Sequence, residues 1–373
     1  MKSLVSSVSL LLITLLLSLP RPTAAAAGSN PGGELFAAYV ANFYVLQGAN
    51  GWFKKTQTNG VADFWELAEE IETVIDAHEA SCPGADTPLI SQLLDGFTAK
   101  NGTNWSNNIY NDDCMWASIA FSRGYLNTGN ERYRTIARWN FDMVYARAWD
   151  NVLGGGFYWS TANGSKNACV NGPAGIAATL LAQTCHDPAY QVKAVGFYNW
   201  ERAHLFNPTN GAVADSQETN GIVHGWASTY NQGTFIGLAN FLGQTNDAAL
   251  AADFTRDHLT RQGLLQQYGV AGNNSGFNAI FLRWMVRFVR ERGMENRYLT
   301  WLQDNADAAW LDRRPSDDLS WCQWLRPTSR TRVLHSWDCT PSLEAVVLLG
   351  VTPVNLSKTS ASAANLIPSS PGK

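Results

Sequence analysis

The chain has 373 residues, of which 45% are apolar, 16% charged and 14 proline; this excludes a peptide, a disulfide-stapled mini-protein, a collagen-like fibre and disorder over most of its length, and fits one large domain or two. A formal charge of −4, from 27 basic and 31 acidic residues, argues against nucleic acid or an anionic membrane as a partner. The 15 Trp, with 12 Tyr and 16 Phe, exceed what a core needs and suggest a surface that stacks on flat ligands such as sugars.

Lys2 precedes the apolar run from Leu10 to Leu17, and Pro20 and the alanines 24 to 27 follow before Gly28. Residues 1–27 read as a secretory signal, since the run is shorter than the ~20 residues that span a bilayer. The expectation is a secreted, extracellular or cell-wall protein with no membrane segment in its mature form. The six cysteines at 82, 114, 169, 185, 322 and 339 are then candidates for disulfides. Fifteen pairings are open and the sequence does not fix them; Cys322–Cys339 is plausible because both lie in a loop-rich stretch. Zinc fits less well, for want of C-x-x-C or H-E-x-x-H spacing. Sequons at Asn101, Asn104, Asn163, Asn273 and Asn355 are consistent with glycosylation.

From there, apolar residues recur at helical period. Twelve segments are predicted, at 34–47, 62–80, 87–99, 112–128, 130–149, 171–185, 187–206, 230–243, 246–264, 275–292, 294–310 and 338–350. Short links alternate with long loops rich in Gly, Asn and aromatics, such as 150–170 and 207–229, so the segments pair as helical hairpins. The links around Thr128, Thr184 and Thr245 resemble one another and suggest a hairpin repeat of about sixty residues. The expected fold is all-α, an (α/α)6 toroid of six hairpins over residues 28–357, with an open solenoid as the rival. The long loops precede the inner helices and would wall a cleft at one end. Residues 358–373, mostly Ser, Ala, Pro and Lys, read as a disordered tail.

Asp112 and Asp113 open one predicted inner helix. Adjacent carboxylates resist joint ionisation, so one can hold a proton while the other stays charged, which is the division of labour in a glycosidase. Helix capping is the plain alternative, and the preferred one for the second pair, Asp317-Asp318. Gly154-Gly155-Gly156-Phe157-Tyr158-Trp159 places aromatics in a loop, for sugar stacking or for packing over helix ends. Asn167 and Asn171 open another helix; Thr229-Tyr230-Asn231-Gln232-Gly233 opens a third with side chains suited to hydroxyl recognition. Asp215 is a further acid within a long loop. Trp116 lies close to the face of Asp113, whereas Trp139, Trp200, Trp284 and Trp301 read as core. Isolated histidines such as His224 and His335 read as structural. No Walker loop or G-x-S-x-G elbow occurs.

Five of these segments, in order, resemble glycoside hydrolase family 76, secreted endo-α-1,6-mannanases with an (α/α)6 fold. They are Asn111-Asp112-Asp113 with Trp116, Gly155 to Trp159, Asn167 to Asn171, Trp226 to Gly233, and Phe277 to Arg283. The resemblance runs from about Phe64 to Val347, and departs from the family pattern at Cys114 and Asn278. It implies that Asp112 is the nucleophile of a retaining mechanism and Asp113 the general acid/base. Trp116, Trp159, Asn171, Asp215, Tyr230, Asn231 and Gln232 are the residues expected to bind sugar. No cofactor or metal is expected; the partner is a polysaccharide, and the protein a monomer. A cell-wall mannan transglycosylase and a non-catalytic glycan-binding protein of the same fold are the alternatives. A terpene-cyclase-like reading fails because Asp112-Asp113 leads to Trp116 where a D-D-x-x-D cluster needs an acid.

Overall fold

A computed structural model describes residues 30–353 and 355. Residues 1–27, expected as a secretory signal, and residues 358–373, expected as a tail, lie outside the described residues. Twelve α-helices are found among those described: α1 (Pro31–Phe43), α2 (Phe64–Glu79), α3 (Thr87–Asn101), α4 (Asn111–Thr128), α5 (Glu131–Ala148), α6 (Ala168–Cys185), α7 (Pro188–His204), α8 (Thr229–Phe241), α9 (Thr245–His258), α10 (Phe277–Arg292), α11 (Glu295–Leu311) and α12 (Ser336–Leu349).

The even-numbered helices form the inner ring. Each packs on the next, α2 on α4 and so on to α12, which returns to α2. The first helix, α1, packs on α12 and secures the closure. This is the (α/α)6 toroid expected from the sequence. Inner helices are buried nearly all round, as in α8, where Thr229, Asn231 to Asn240 all lie inside; outer helices such as α5 bury one stripe, Tyr133, Ile136, Ala137, Asn140, Phe141 and Val144. That stripe turns Trp139 outward at 46% exposure, so its assignment to the core is corrected. Trp200 and Trp284 are core, and Trp301 is partly buried against it.

Where backbones meet, glycine replaces the knob. A Cβ on Gly233 would stand 2.6 Å from the Phe281 Cα, so α8 approaches α10 at a distance only glycine permits. The recurring outer contact is a tyrosine on one outer helix reaching an aspartate on the one before. Tyr133 donates to Asp95, Tyr190 to Asp142 and Tyr298 to Asp253.

Two segments expected as helix are not. The first helix stops at Phe43, where Tyr44–Gln47 and Asn50–Phe53 form a tight hairpin around Gly48 at φ +63°; aromatic and β-branched residues beside a left-handed glycine favour a strand turn. Likewise α9 ends at His258, and Thr260–Arg261 pairs with Leu264–Leu265. The link repeat is also uneven. Thr128 and Thr184 end inner helices, whereas Thr245 begins an outer one.

The expected disulfides, Cys322–Cys339 included, are not shown among the described residues: all six sulfurs are free, five of them buried as small apolar groups within the packing. No helix among the described residues is long and apolar enough to cross a membrane.

Candidate active site

Because every inner helix runs in the same sense, their first turns gather at one end of the ring. There they line a cleft of about 670 Å³, walled by Asp63, Phe64 and Trp65 at α2, Tyr110, Asp112, Asp113 and Trp116 at α4, Asn167 and Cys169 at α6, Asp215 in the loop between α7 and α8, Tyr230 at α8, and Asn273, Asn274 and Phe277 at α10. At the opposite end a cavity of about 400 Å³ contains Arg123 and Arg283, but both guanidiniums are already ion-paired to carboxylates.

The aspartate pair sits on the second and third residues of α4, whose N-cap is Tyr110. Neither carboxylate is spent on capping: Tyr110 and not an aspartate holds the cap position, and the side-chain partners of both acids come from elsewhere. Asp113 Oδ2 accepts from Asn108 Nδ2 at 2.9 Å. Asn108 is held in turn by Arg147 of α5, which donates to the carbonyls of Ser106 and Asn108 and to Asn111 Oδ1. Asp112 Oδ2 accepts from the Trp159 indole at 3.0 Å and from the Cys169 thiol at 3.6 Å. Its Oδ1 is buried with no donor.

Both acids are pushed upward. Burial, then the charge of Asp113, raises Asp112 to about 7 against the opposing bonds of Trp159 and Cys169. Burial also raises Asp113 to about 6, opposed by Asn108 and reinforced by Asp63. As an interacting pair they shed their protons in two steps, so one carboxyl can hold a proton while the other is charged. Asp215 is raised as well, by burial.

The loop carrying Trp159 is fastened from below. Asn111 donates its side-chain amide to the Tyr158 carbonyl and its backbone N–H to that of Trp159, each at 2.8 Å. Lys166, fully buried, donates to Asp150, Val152 and Gly155 at 2.6–2.8 Å. Gly156, at φ +78°, lies where a Cβ would enter the Trp200 ring. The three consecutive aromatics therefore divide: Phe157 and Tyr158 pack inside, and Trp159 stays 38% exposed over the acids beside Tyr110.

The expected catalytic pair Asp112 and Asp113 lines the cleft, and of the residues expected to bind sugar so do Trp116, Trp159, Asp215 and Tyr230. Trp116 is floor, only 2% exposed, and Tyr230 stacks on Phe277. Asn171 and Gln232 are not brought there, and their sugar-binding assignment is corrected. Asn171 brackets Phe157, accepting from its N–H at 2.7 Å and donating to its carbonyl. Gln232 is fully spent on Val213, Gly211 and Ala251. Asn231 is buried behind the wall, 3.4 Å from Asp215 Oδ1. Asp317 is an ion-pair partner of Arg314 at a distance from the cleft. Sequence reasoning missed Asp63, Trp65, Tyr110, Cys169 and Phe277; the signal for all of them was position, at or just before the start of an inner helix.

The sequence model described as glycosyl hydrolase family 76 matches residues 29–353. The α-1,6-mannanase of Salegentibacter sp. HEL1_6 is 26% identical with a TM-score of 0.76, over 87% of this chain and 98% of that one. A similar structure is an inactive variant of that enzyme with two consecutive aspartates changed to asparagine, in complex with α-1,6-mannotriose; it is 25% identical with the same TM-score and coverage. Dfg5 of Chaetomium thermophilum, in complex with glucosamine, shares the fold at 16% identity and a TM-score of 0.65, over 79% of this chain and 83% of that one. No curated protein sequence matches.

Proposed function

This chain belongs to glycosyl hydrolase family 76 and is a glycosidase; on that premise we propose that it is a secreted, retaining endo-hydrolase of α-1,6-linked mannan, acting as a monomer. The observation that carries the reading is the adjacent pair Asp112-Asp113 at the bottom of an aromatic cleft, alongside a relative that is inactive when two consecutive aspartates become asparagine and that holds an α-1,6-mannotriose.

In this reading Asp113 carries the proton and gives it to the glycosidic oxygen as that bond breaks. Asp112 attacks the anomeric carbon and forms a glycosyl ester. Asp113, now a carboxylate, takes a proton from water, which displaces Asp112 and releases the sugar with its configuration retained. Burial and the charge of Asp113 favour the proton on Asp112, and the order of roles needs the reverse. The positive charge that develops on the anomeric carbon faces Asp112 and selects its ionised form. Trp159 and Trp116 supply flat surfaces for the sugar rings.

Asp112→Asn and Asp113→Asn are each expected to lower hydrolysis of α-1,6-mannan at least ~10³-fold, with circular dichroism unchanged. Full activity in either variant sinks the mechanism. Product analysis at high acceptor concentration separates the readings: lengthened oligosaccharides indicate transglycosylation, and their absence hydrolysis.

A further inference from the structure

The hydrogen bonding of Asp112 contains a group to which the hydrolytic steps give no part. Its Oδ2 takes two donors, the Trp159 indole at 3.0 Å and the Cys169 thiol at 3.6 Å, while Oδ1 has none. Cys169 is the second residue of α6 and sits in the cleft wall at 5% exposure. Its place is rigid. The N–H of Ala168, just before it, donates to the Asp215 carbonyl at 2.8 Å, and Asn171, two residues on, is bracketed by Phe157.

The groups facing this carboxylate are Asp113 on its own helix, Cys169 on α6, Asp215 from the loop between α7 and α8, and Tyr230 from the first turn of α8. None of these is a cation. Burial, followed by the charges of Asp112 and Asp215, pushes the Cys169 thiol well above its ordinary value. It therefore keeps its proton through the neutral range and acts as a donor.

We propose that Cys169 is a positioning residue for Asp112: its thiol and the Trp159 indole together hold Oδ2 in one orientation and favour the charged carboxylate that attacks and later leaves the anomeric carbon. The consequence for rate rests on the reading of Asp112 as nucleophile; the contact itself does not. A hydroxyl at this position keeps a donor, and a methyl group removes it.

The test compares Cys169→Ala and Cys169→Ser in the full chain. With the alanine variant, kcat on α-1,6-mannan is expected to fall about tenfold with KM within about twofold. The acid limb of its kcat profile, which reports Asp112 in the substrate complex, is expected to move up by about half a pH unit or more. The serine variant is expected to restore kcat to within about threefold and to return the limb. Wild-type kcat and limb in the alanine variant overturn the proposal. So does equal impairment of both variants with an unmoved limb, the outcome for a side chain that only fills space. Should the wild-type protein not cleave this mannan, the functional reading fails by itself. The titration of Asp112, followed by carboxyl carbon NMR in wild type and Cys169→Ala, then decides: an upward shift supports the contact, and no shift overturns it.

Discussion

Asp112 and Asp113 stand in the first turn of α4, where unpaired backbone N–H groups and the helix dipole favour a negative charge. Burial wins nonetheless, and both acids are raised. The consequence for stability has a definite sign. Asp112 titrates near 4 in the unfolded chain and at about 7 in the folded one, so folding is unaffected by it at low pH. The cost begins as pH rises past the unfolded value and is complete above the folded one. Asp112→Asn is therefore expected to be more stable than wild type by about 1–3 kcal/mol at pH 8, with the gap closing below about pH 4. Urea denaturation across that range checks it; a gap independent of pH contradicts it. The pair was legible in the sequence because adjacency alone brings like charges together. Asn171 and Gln232 were misread because an amide that binds sugar and one that binds buried backbone are the same letter. Cys169 was overlooked because a cysteine near a helix start reads as a small apolar residue, and only the packing of α6 on α4 carries it to Asp112.

At the scale of elements, the helices were legible and the loops were not. Periodicity marks a helix because it needs partners every three or four residues, and each of the twelve expected segments overlaps one. The short hairpin after Phe43 escaped because its pairing is set by backbone turns with no periodic pattern. The loop 149–167 shows how motif residues divide between structure and chemistry: Lys166 and Asn171 hold it, and Trp159 is what they hold. Asn171→Ala leaves the N–H and carbonyl of Phe157 without partners in the core. It is expected to lose about 2–4 kcal/mol of stability, measured by urea denaturation, and to lower kcat as the Trp159 contact with Asp112 loosens. A variant with unchanged stability contradicts the bracket.

For the whole molecule, ring closure rests on charge as well as on apolar packing. Arg283 on α10 reaches Glu69 at 2.5 Å and Asp76, both on α2, and Glu344 on α12 at 3.1 Å. Arg123 on α4 bonds Glu72 and Asp76 at 2.9 and 2.8 Å. Burial alone would raise Asp76, but the two arginines outweigh it and hold it at about 2. Glu72 is raised by burial to about 7, and Glu344 well above its ordinary value by burial and the charge of Asp76. The closing segment Phe277–Arg283, whose helical period was legible in the sequence but whose roles were not, thus contributes Phe277 to the cleft and Arg283 to the axis that fixes the inner helices. That arrangement keeps the first turns in one ring, and with them the aspartates. The most direct test of the chemistry assigned to those aspartates is the configuration of the first reducing sugar released from α-1,6-mannan, followed by proton NMR within minutes of mixing. The account expects the α-anomer first, with β appearing only by mutarotation; β-anomer first, or no cleavage at all, contradicts it.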